Sequence, residues 1–124
     1  DPRALGLPGA RARALVGLAR AGRDDPDLFD AAPDAVRARL LALPGIGPWT
    51  VEYVAMRALG DGDAFLATDL VVARAWRVLA ARVGDRRDLR TAAESWRPYR
   101  AYAVQWLWRW WLGLPAAERR ALTP

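Results

Sequence analysis

Apolar residues recur along this chain at helical spacing, and no stretch shows the sustained alternation of apolar and polar residues that predicts a strand. Leu15, Leu18 and Ala19 lie three and four residues apart, and Gly22 is expected to end their helix. Glycine and proline mark most other boundaries. The predicted helices cover about residues 10–21, 33–42, 49–59, 68–83, 88–96 and 98–112, with a last turn or two over 115–122. The pattern therefore predicts an all-α fold.

The predicted helix over 98–112 is apolar nearly all round, and only Gln105 and Arg109 form a polar strip on it. Its apolar positions form two faces: Tyr99, Tyr102, Ala103, Trp106 and Trp110 on one, and Val104, Leu107, Trp108 and Trp111 on the other. A helix of this kind is typical of the centre of a larger core. We therefore expect the domain to include helices upstream of this chain.

Two predicted helices meet at the segment Leu-Pro-Gly-Ile-Gly-Pro, residues 43–48. Gly45 and Gly47 permit a positive φ and a close approach of backbones, and Ile46 can pack between the two helices. Because the next helix starts here, its first N–H groups and the positive end of its dipole are available to an anion. The segment therefore suits a phosphate bound through backbone alone. The alternative is an ordinary turn between two helices.

Composition narrows the possible chemistry. With 124 residues, 53% of them hydrophobic, residues 1–124 are expected to form a single domain with a core. All 19 basic residues are arginine, against 14 acidic residues, and the net charge is +5. Lysine, histidine and cysteine are absent, which excludes a side-chain Schiff base, a Ser-His-Asp triad, a disulfide and a cysteine zinc site. A catalytic side chain must therefore be Asp, Glu, Tyr, Ser or Thr.

Charge is unevenly distributed along the chain. Residues 71–100 carry eight arginines against three acidic residues, whereas residues 24–34 carry five aspartates and no basic residue. Such runs are commonly solvated faces, and the alternative is a basic face for a polyanion. Either Thr68 or Asp69 is expected to cap the helix that reaches about Val83, and a carboxylate such as that of Asp69 is favoured as an N-cap. Asp69 is therefore either an N-cap alone or a catalytic group.

The string Leu-Pro-Gly-Ile-Gly-Pro-Trp-Thr (43–50), followed about twenty residues on by Asp69 in Phe-Leu-Ala-Thr-Asp, resembles the motif of the helix-hairpin-helix DNA glycosylase superfamily. Residues 40–76 and 94–103 are similar to its alkylpurine branch, the 3-methyladenine DNA glycosylase II type. Residues 6–21 resemble the helix that precedes the hairpin. The resemblance implies an all-α glycosylase domain with its helix-hairpin-helix over 33–59, of which this chain is the C-terminal part.

The resemblance also implies roles for individual residues. Asp69 matches the catalytic aspartate. Four residues match the hairpin that grips DNA phosphate: Leu43, Gly45, Ile46 and Gly47. In relatives the hairpin carbonyls also hold a monovalent cation, and no other metal and no cofactor is expected. Trp49, Tyr53 and Trp108 match aromatic positions of the base pocket, with plain core packing as the alternative.

The chain departs from the family pattern in two places. Leu70 stands where relatives often carry another aromatic residue after the aspartate. Relatives also have upstream helices and a wedge residue that enters the duplex.

The implied function is a monofunctional DNA glycosylase of base excision repair that acts on a nucleotide flipped out of the stack. Cleavage of an N-glycosidic bond builds positive charge on the sugar, which a fixed carboxylate stabilises while it orients or deprotonates water. Cationic purines such as 3-methyladenine and 7-methylguanine leave as neutral bases. They suit a site with a carboxylate and aromatic faces and no catalytic Lys or His. Since the chain has no lysine, no strand-nicking lyase step is expected.

Two other functions stay open. One is a non-catalytic helix-hairpin-helix module that grips the DNA backbone, and the other is the C-terminal half of a fused adaptive-response regulator and glycosylase.

The expected partner is double-stranded DNA containing alkylated bases, and the complete protein is expected to be a monomer. No apolar run approaches the ~18 residues of a membrane span. The resemblance implies a cytoplasmic, nucleoid-associated location in a bacterium.

Overall fold

A computed structural model describes residues 6–122, and this range contains seven helices and no strand, so the predicted all-α fold is confirmed. The helices are α1 (Gly9–Asp24), α2 (Pro33–Leu41), α3 (Pro48–Arg57), α4 (Leu70–Val83), α5 (Leu89–Glu94), α6 (Arg100–Gly113) and α7 (Ala116–Ala121). They fall into two compact units, one ending at Leu59 and one beginning at Gly60. Over residues 6–122, every helix is too short or too polar to cross a membrane.

The helix boundaries differ from the prediction by up to three residues, and two of these differences concern a glycine or a proline that was expected to mark the boundary. Gly22 does not end α1, which continues to Asp24; the N–H of Asp25 still donates to the carbonyl of Ala21 at 2.8 Å. The helix stops there because a proline, Pro26, disfavours the helical conformation in the residue before it. The helix predicted from Pro98 begins at Arg100 instead, with Tyr99 as its non-helical N-cap.

The first unit has its core between α2 and α3. Pro33 and Pro48 occupy the first turns of these helices, where a missing N–H costs nothing. Val36, Leu40 and Val51 are buried at the contact. Six partly buried residues surround them: Leu18, Ala31, Leu43, Ile46, Val54 and Leu59. The apolar side chains of the turn between α2 and α3 are therefore part of this core.

In the second unit α4 packs against α6 and α5. The buried residues of α4 are Val72, Ala75 and Ala80, and those of α6 are Ala101, Val104, Leu107 and Trp111. Of the two apolar faces predicted for α6, only the one with Val104 is in the core. The other leaves Tyr99, Tyr102 and Trp106 between 56% and 65% exposed.

Candidate functional site

Asp69 occupies the N-cap of α4, as its position in the sequence predicted. Its Oδ1 accepts the backbone N–H of Val72 at 2.8 Å, which satisfies one of the unpaired donors of the first helical turn. The same Oδ1 accepts the indole N–H of Trp108 at 3.0 Å. Asp69 is only 9% exposed, so these bonds hold a carboxylate that has little contact with solvent in one orientation.

Trp108 reaches Asp69 from the buried face of α6. Ala101, Val104 and Trp108 follow one another at spacings of three and four residues, so they share the face that packs toward α4. The sequence predicted an aromatic surface at this position, and the structure brings Trp108 and Asp69 together through a hydrogen bond. The indole N–H of a tryptophan that is partly buried usually finds an acceptor, and Trp108 is half-buried. That general tendency is the one indication of such a bond.

The loop that leads to Asp69, residues 60–69, is held by ion pairs that no sequence pattern predicted. Arg100 donates to Asp63 through Nε at 2.8 Å and Nη2 at 2.7 Å, and Arg97 Nη1 donates to the same carboxylate at 2.6 Å. Glu94 accepts from both arginines. We call these four residues the Asp63 cluster. Asp63 and Arg100 are 37 positions apart, so nothing in the local sequence signals their pairing.

The pKa values of the cluster follow from these contacts. The hydrogen bond from Arg100 holds the pKa of Asp63 below the ordinary carboxyl value, against the opposing effect of desolvation. The hydrogen bond from Arg97 likewise lowers the pKa of Glu94. Both carboxylates are therefore charged near neutral pH, and the cluster keeps its ion pairs there.

The turn between α2 and α3, residues 42–47, is the hairpin of the sequence analysis. Gly45 has a φ of 86°, and a Cβ built on it would lie 2.8 Å from the Cβ of Ala14 on α1. Glycine is therefore required both by the backbone conformation and by the close approach of α1. The N–H of Ile46 donates to the carbonyl of Leu43 at 3.1 Å, and the Ile46 side chain packs on the core of the first unit.

Gly47 is the N-cap of α3, with φ −101° and ψ 172°. No side chain caps this helix through a hydrogen bond, and its first turn contains no acidic residue, so α3 itself places no negative charge at the positive end of its dipole. The hairpin also offers neutral backbone carbonyls, among them that of Leu43. Neutral carbonyls of this kind are the ligands that a weakly held monovalent cation takes, and the cation site stays a prediction. Across residues 6–122 no group of three His, Cys, Asp or Glu side chains could hold a metal.

Trp49 and Tyr53, one turn apart on α3, stack on each other with ring centroids 5.1 Å apart and an interplanar angle of 16°. Trp49 is 40% exposed. The guanidinium of Arg57 lies 5.8 Å from the centroid of the Tyr53 ring. The two predicted pocket aromatics of α3 are thus brought together as one stacked pair.

Comparisons with known proteins identify the family. The chain is similar to the "probable bifunctional transcriptional activator/DNA repair enzyme AlkA" of Mycobacterium tuberculosis, with 47% identity over 113 residues, 87% of this chain. It is also similar to "DNA-3-methyladenine glycosylase 2" of Escherichia coli, with 32% identity over 108 residues, 86% of this chain. The chain belongs to the alkylpurine branch of the helix-hairpin-helix DNA glycosylase superfamily. It spans 22% of the length of the mycobacterial relative and 36% of that of the Escherichia coli relative.

A Bacillus subtilis protein named "DNA-3-methyladenine glycosylase" is a third relative, with 32% identity over 72 residues, 56% of this chain. No protein-family profile matches this alkylpurine-branch chain. No solved structure matches it either.

The eight arginines of residues 71–100 in this glycosylase-family chain have different surroundings in the structure. Among them, Arg82 pairs with Glu118, Arg87 with Asp85, and Arg97 and Arg100 with the carboxylates of the Asp63 cluster. Arg77 donates to the carbonyl of Leu122. Four of these eight arginines therefore form ion pairs within the second unit.

Proposed function

We propose that this chain is the catalytic part of a monofunctional DNA glycosylase that removes alkylated purines from double-stranded DNA. The observation that carries the proposal is the placement of Asp69, a nearly buried carboxylate held by the start of α4 and by Trp108. Relatives named 3-methyladenine glycosylases support the substrate class. In this proposal residues 33–59 are the helix-hairpin-helix of one partial domain, and the complete protein acts as a monomer.

The proposed reaction is hydrolysis at C1′ of a flipped nucleotide. The bond between C1′ and the base nitrogen breaks, and its electron pair leaves with the base. A purine alkylated at N3 or N7 is already cationic and departs neutral. Positive charge on the sugar grows next to the Asp69 carboxylate, which stabilises it. Water then forms the new C1′–O bond, and its proton passes to Asp69 and on to solvent.

Binding to DNA is assigned to the hairpin. Its glycines and the start of α3 would bind a backbone phosphate through N–H groups, whatever the base sequence. A monovalent cation, when held by the hairpin carbonyls, would add positive charge for the same phosphate. The stacked pair of Trp49 and Tyr53 offers a flat aromatic surface of the kind that an electron-poor alkylated base prefers.

The substitution Asp69→Asn tests the catalytic role. Asparagine caps a helix as well as aspartate does, so α4 is retained while the negative charge is lost. We expect release of methylated purines to fall by about 100-fold or more, the range for loss of an acid–base group. DNA affinity should stay the same or rise, because a charge that repels phosphate is removed. Release is measured by chromatography of freed bases in single-turnover reactions, and affinity by gel shift.

Asp88→Asn is the matched control. Asp88 caps α5 through the N–H of Thr91 at 2.9 Å, so the same chemical change is made at a second N-cap of the chain. This variant should release bases at the wild-type rate. Equal rates for wild type and Asp69→Asn would remove Asp69 from catalysis. A wild-type protein that binds DNA yet releases no base would instead indicate a non-catalytic binding module.

A second candidate function comes from the name of the mycobacterial relative, which couples repair to transcriptional activation. We infer that the natural protein containing this chain combines the glycosylase with a transcriptional regulator. A reporter assay in cells treated with a methylating agent tests this combination. Deletion of the natural gene should then lower the induced expression as well as the repair of methylated DNA.

A further inference from the structure

We propose that Arg100 and Asp63 are a positioning pair that sets the hydrogen bond between Trp108 and Asp69. The use of that bond in base release rests on the proposed function, whereas the positioning itself can be tested without it. All four residues belong to the second unit, and two of them, Arg100 and Trp108, are on the same helix, α6.

The geometry of the pair is that of a specific contact. Arg100 approaches Asp63 side-on, with Nε on one carboxylate oxygen and Nη2 on the other. Two parallel bonds of this kind fix the orientation of both groups, which a single charged contact does not. The side chains of Arg100 and Asp63 are only 14% and 25% exposed, so solvent screens the pair less than it screens the surface ion pairs.

Two further contacts of the first turn of α6 reinforce the pair. The N–H of Ala101 donates to the carbonyl of Gly62 at 2.9 Å, directly beside Asp63. The guanidinium of Arg100 also lies 5.5 Å from the centroid of the Phe65 ring. The first turn of α6 therefore holds residues 62–65 of the loop through a backbone bond, an ion pair and a cation–π contact.

The same helix contacts the far end of the loop. Trp108 is eight positions after Arg100 on the helix, a rise of about 12 Å, and it donates to Asp69. The loop between these points is short, and Ala64 and Leu66 are fully buried in it. Because α6 is a rigid element bound at both ends of the loop, a shift of its first turn moves the Trp108 indole relative to Asp69.

Arg97 provides the internal comparison. It donates to the same Asp63 carboxylate, but it precedes α6 and its side chain is 48% exposed. If the pair only neutralised the charge of Asp63, loss of Arg97 and loss of Arg100 would change the bond between Trp108 and Asp69 about equally. If the pair positions α6, loss of Arg100 should change that bond and loss of Arg97 should not.

The experiment uses the natural protein that carries this chain, labelled with ¹⁵N-tryptophan. The seven tryptophans of the chain give separate indole N–H signals, and Trp108→Phe identifies the signal of Trp108. In Arg100→Gln and in Asp63→Asn we expect the Trp108 signal to move toward that of an indole without its carboxylate partner. Its exchange with solvent should become at least about fivefold faster. Arg97→Gln should leave both values unchanged, and Arg100→Lys should lie between, because lysine keeps the charge but not the side-on geometry.

Base release from methylated DNA is the second measurement. Arg100→Gln should lower the single-turnover rate by up to about tenfold, the full effect expected when the bond from Trp108 to Asp69 is lost. Its affinity for DNA should change less than threefold. Spectra are recorded well below the melting temperature of each variant, so that only folded protein contributes.

Each outcome decides the proposal. An unchanged Trp108 signal in folded Arg100→Gln overturns it, and so does an equal change in Arg97→Gln. If the signal moves but wild-type protein releases no base, the positioning stands and the proposed function fails. If the signal moves and base release does not fall, the pair positions Trp108 and the bond is not used in catalysis.

Discussion

Asp69 is the N-cap of α4, and the proposed function gives the same carboxylate a catalytic role. An N-cap needs a side-chain oxygen near the first N–H groups of a helix, and the proposed reaction needs a negative charge held still beside a developing cation. Val72 and Trp108 both donate to its Oδ1, so the cap geometry itself orients the carboxylate. We therefore expect the indole N–H of Trp108 to contribute to the site in addition to its ring.

The substitution Trp108→Phe isolates that atom. It keeps an aromatic ring on α6 and removes the N–H that reaches Asp69. We expect the free energy of unfolding to fall by about 2 kcal/mol, the value of a hydrogen bond to a charged group. Base release should fall by about tenfold, which corresponds to about 1.4 kcal/mol on the barrier. Thermal melting and single-turnover release are the measurements.

Trp106→Phe is the control on the same helix, because Trp106 is 56% exposed and lies on the face outside the core. It should change neither quantity beyond experimental error. A Trp108→Phe protein with wild-type base release would show that the ring alone is sufficient at this position.

At the scale of elements, the hairpin separates two uses of glycine that look alike in sequence. Gly45 has a positive φ and no room for a Cβ beside Ala14. Gly47 has an extended φ of −101° and no atom within 4 Å of the place where a Cβ would be. Gly45 is therefore required for the fold of the turn. A side chain can be accommodated at Gly47, where a substitution acts through the N-cap of α3.

This difference predicts opposite effects for two substitutions. Gly45→Ala should destabilise the protein by about 2 kcal/mol, from backbone strain and the contact with α1. Gly47→Ser should stabilise it by about 0.3 kcal/mol, because the serine hydroxyl caps α3. That hydroxyl would compete with a phosphate for the same N–H groups. Affinity for DNA should therefore fall roughly fivefold, the effect of about 1 kcal/mol.

Chemical denaturation and gel shifts on unmethylated duplexes of two different sequences measure these effects. The loss of affinity in Gly47→Ser should be the same for both duplexes, since backbone amides do not read bases. Undiminished DNA binding by Gly47→Ser would place the phosphate contact elsewhere in the protein.

At the scale of the whole molecule, the absence of lysine limits the reaction outcome. A strand-nicking glycosylase of the lyase type needs an amine to form a Schiff base with C1′, and arginine stays protonated and cannot do so. The product is therefore expected to be an intact strand with an abasic site, cut only by later alkali. Borohydride should trap no covalent adduct on residues 1–124 in protein whose α-amino group is blocked. A trapped adduct that maps to these residues would contradict the monofunctional assignment.

The sequence by itself determined the features that depend on neighbours within about one helical turn. The seven helices, the N-cap position of Asp69 and the turn at Gly45 all follow from spacing, capping and glycine, which act locally. The sequence placed the end of α1 at Gly22 and the start of α6 at Pro98 less accurately, because a turn next to each helix also influences the boundary. The roles of the hairpin and of Asp69 in DNA repair stay predictions.

Only the tertiary structure decided which distant groups meet. Trp108 and Asp69 are 39 positions apart, and Arg100 and Asp63 are 37 apart, so their contacts depend on how α6 packs against α4 and the loop before it. The same packing decided which apolar face of α6 is buried, since both faces have helical spacing. Helical periodicity shows which faces of a helix are apolar. Which of two apolar faces becomes buried depends on the parts of the chain that pack against the helix.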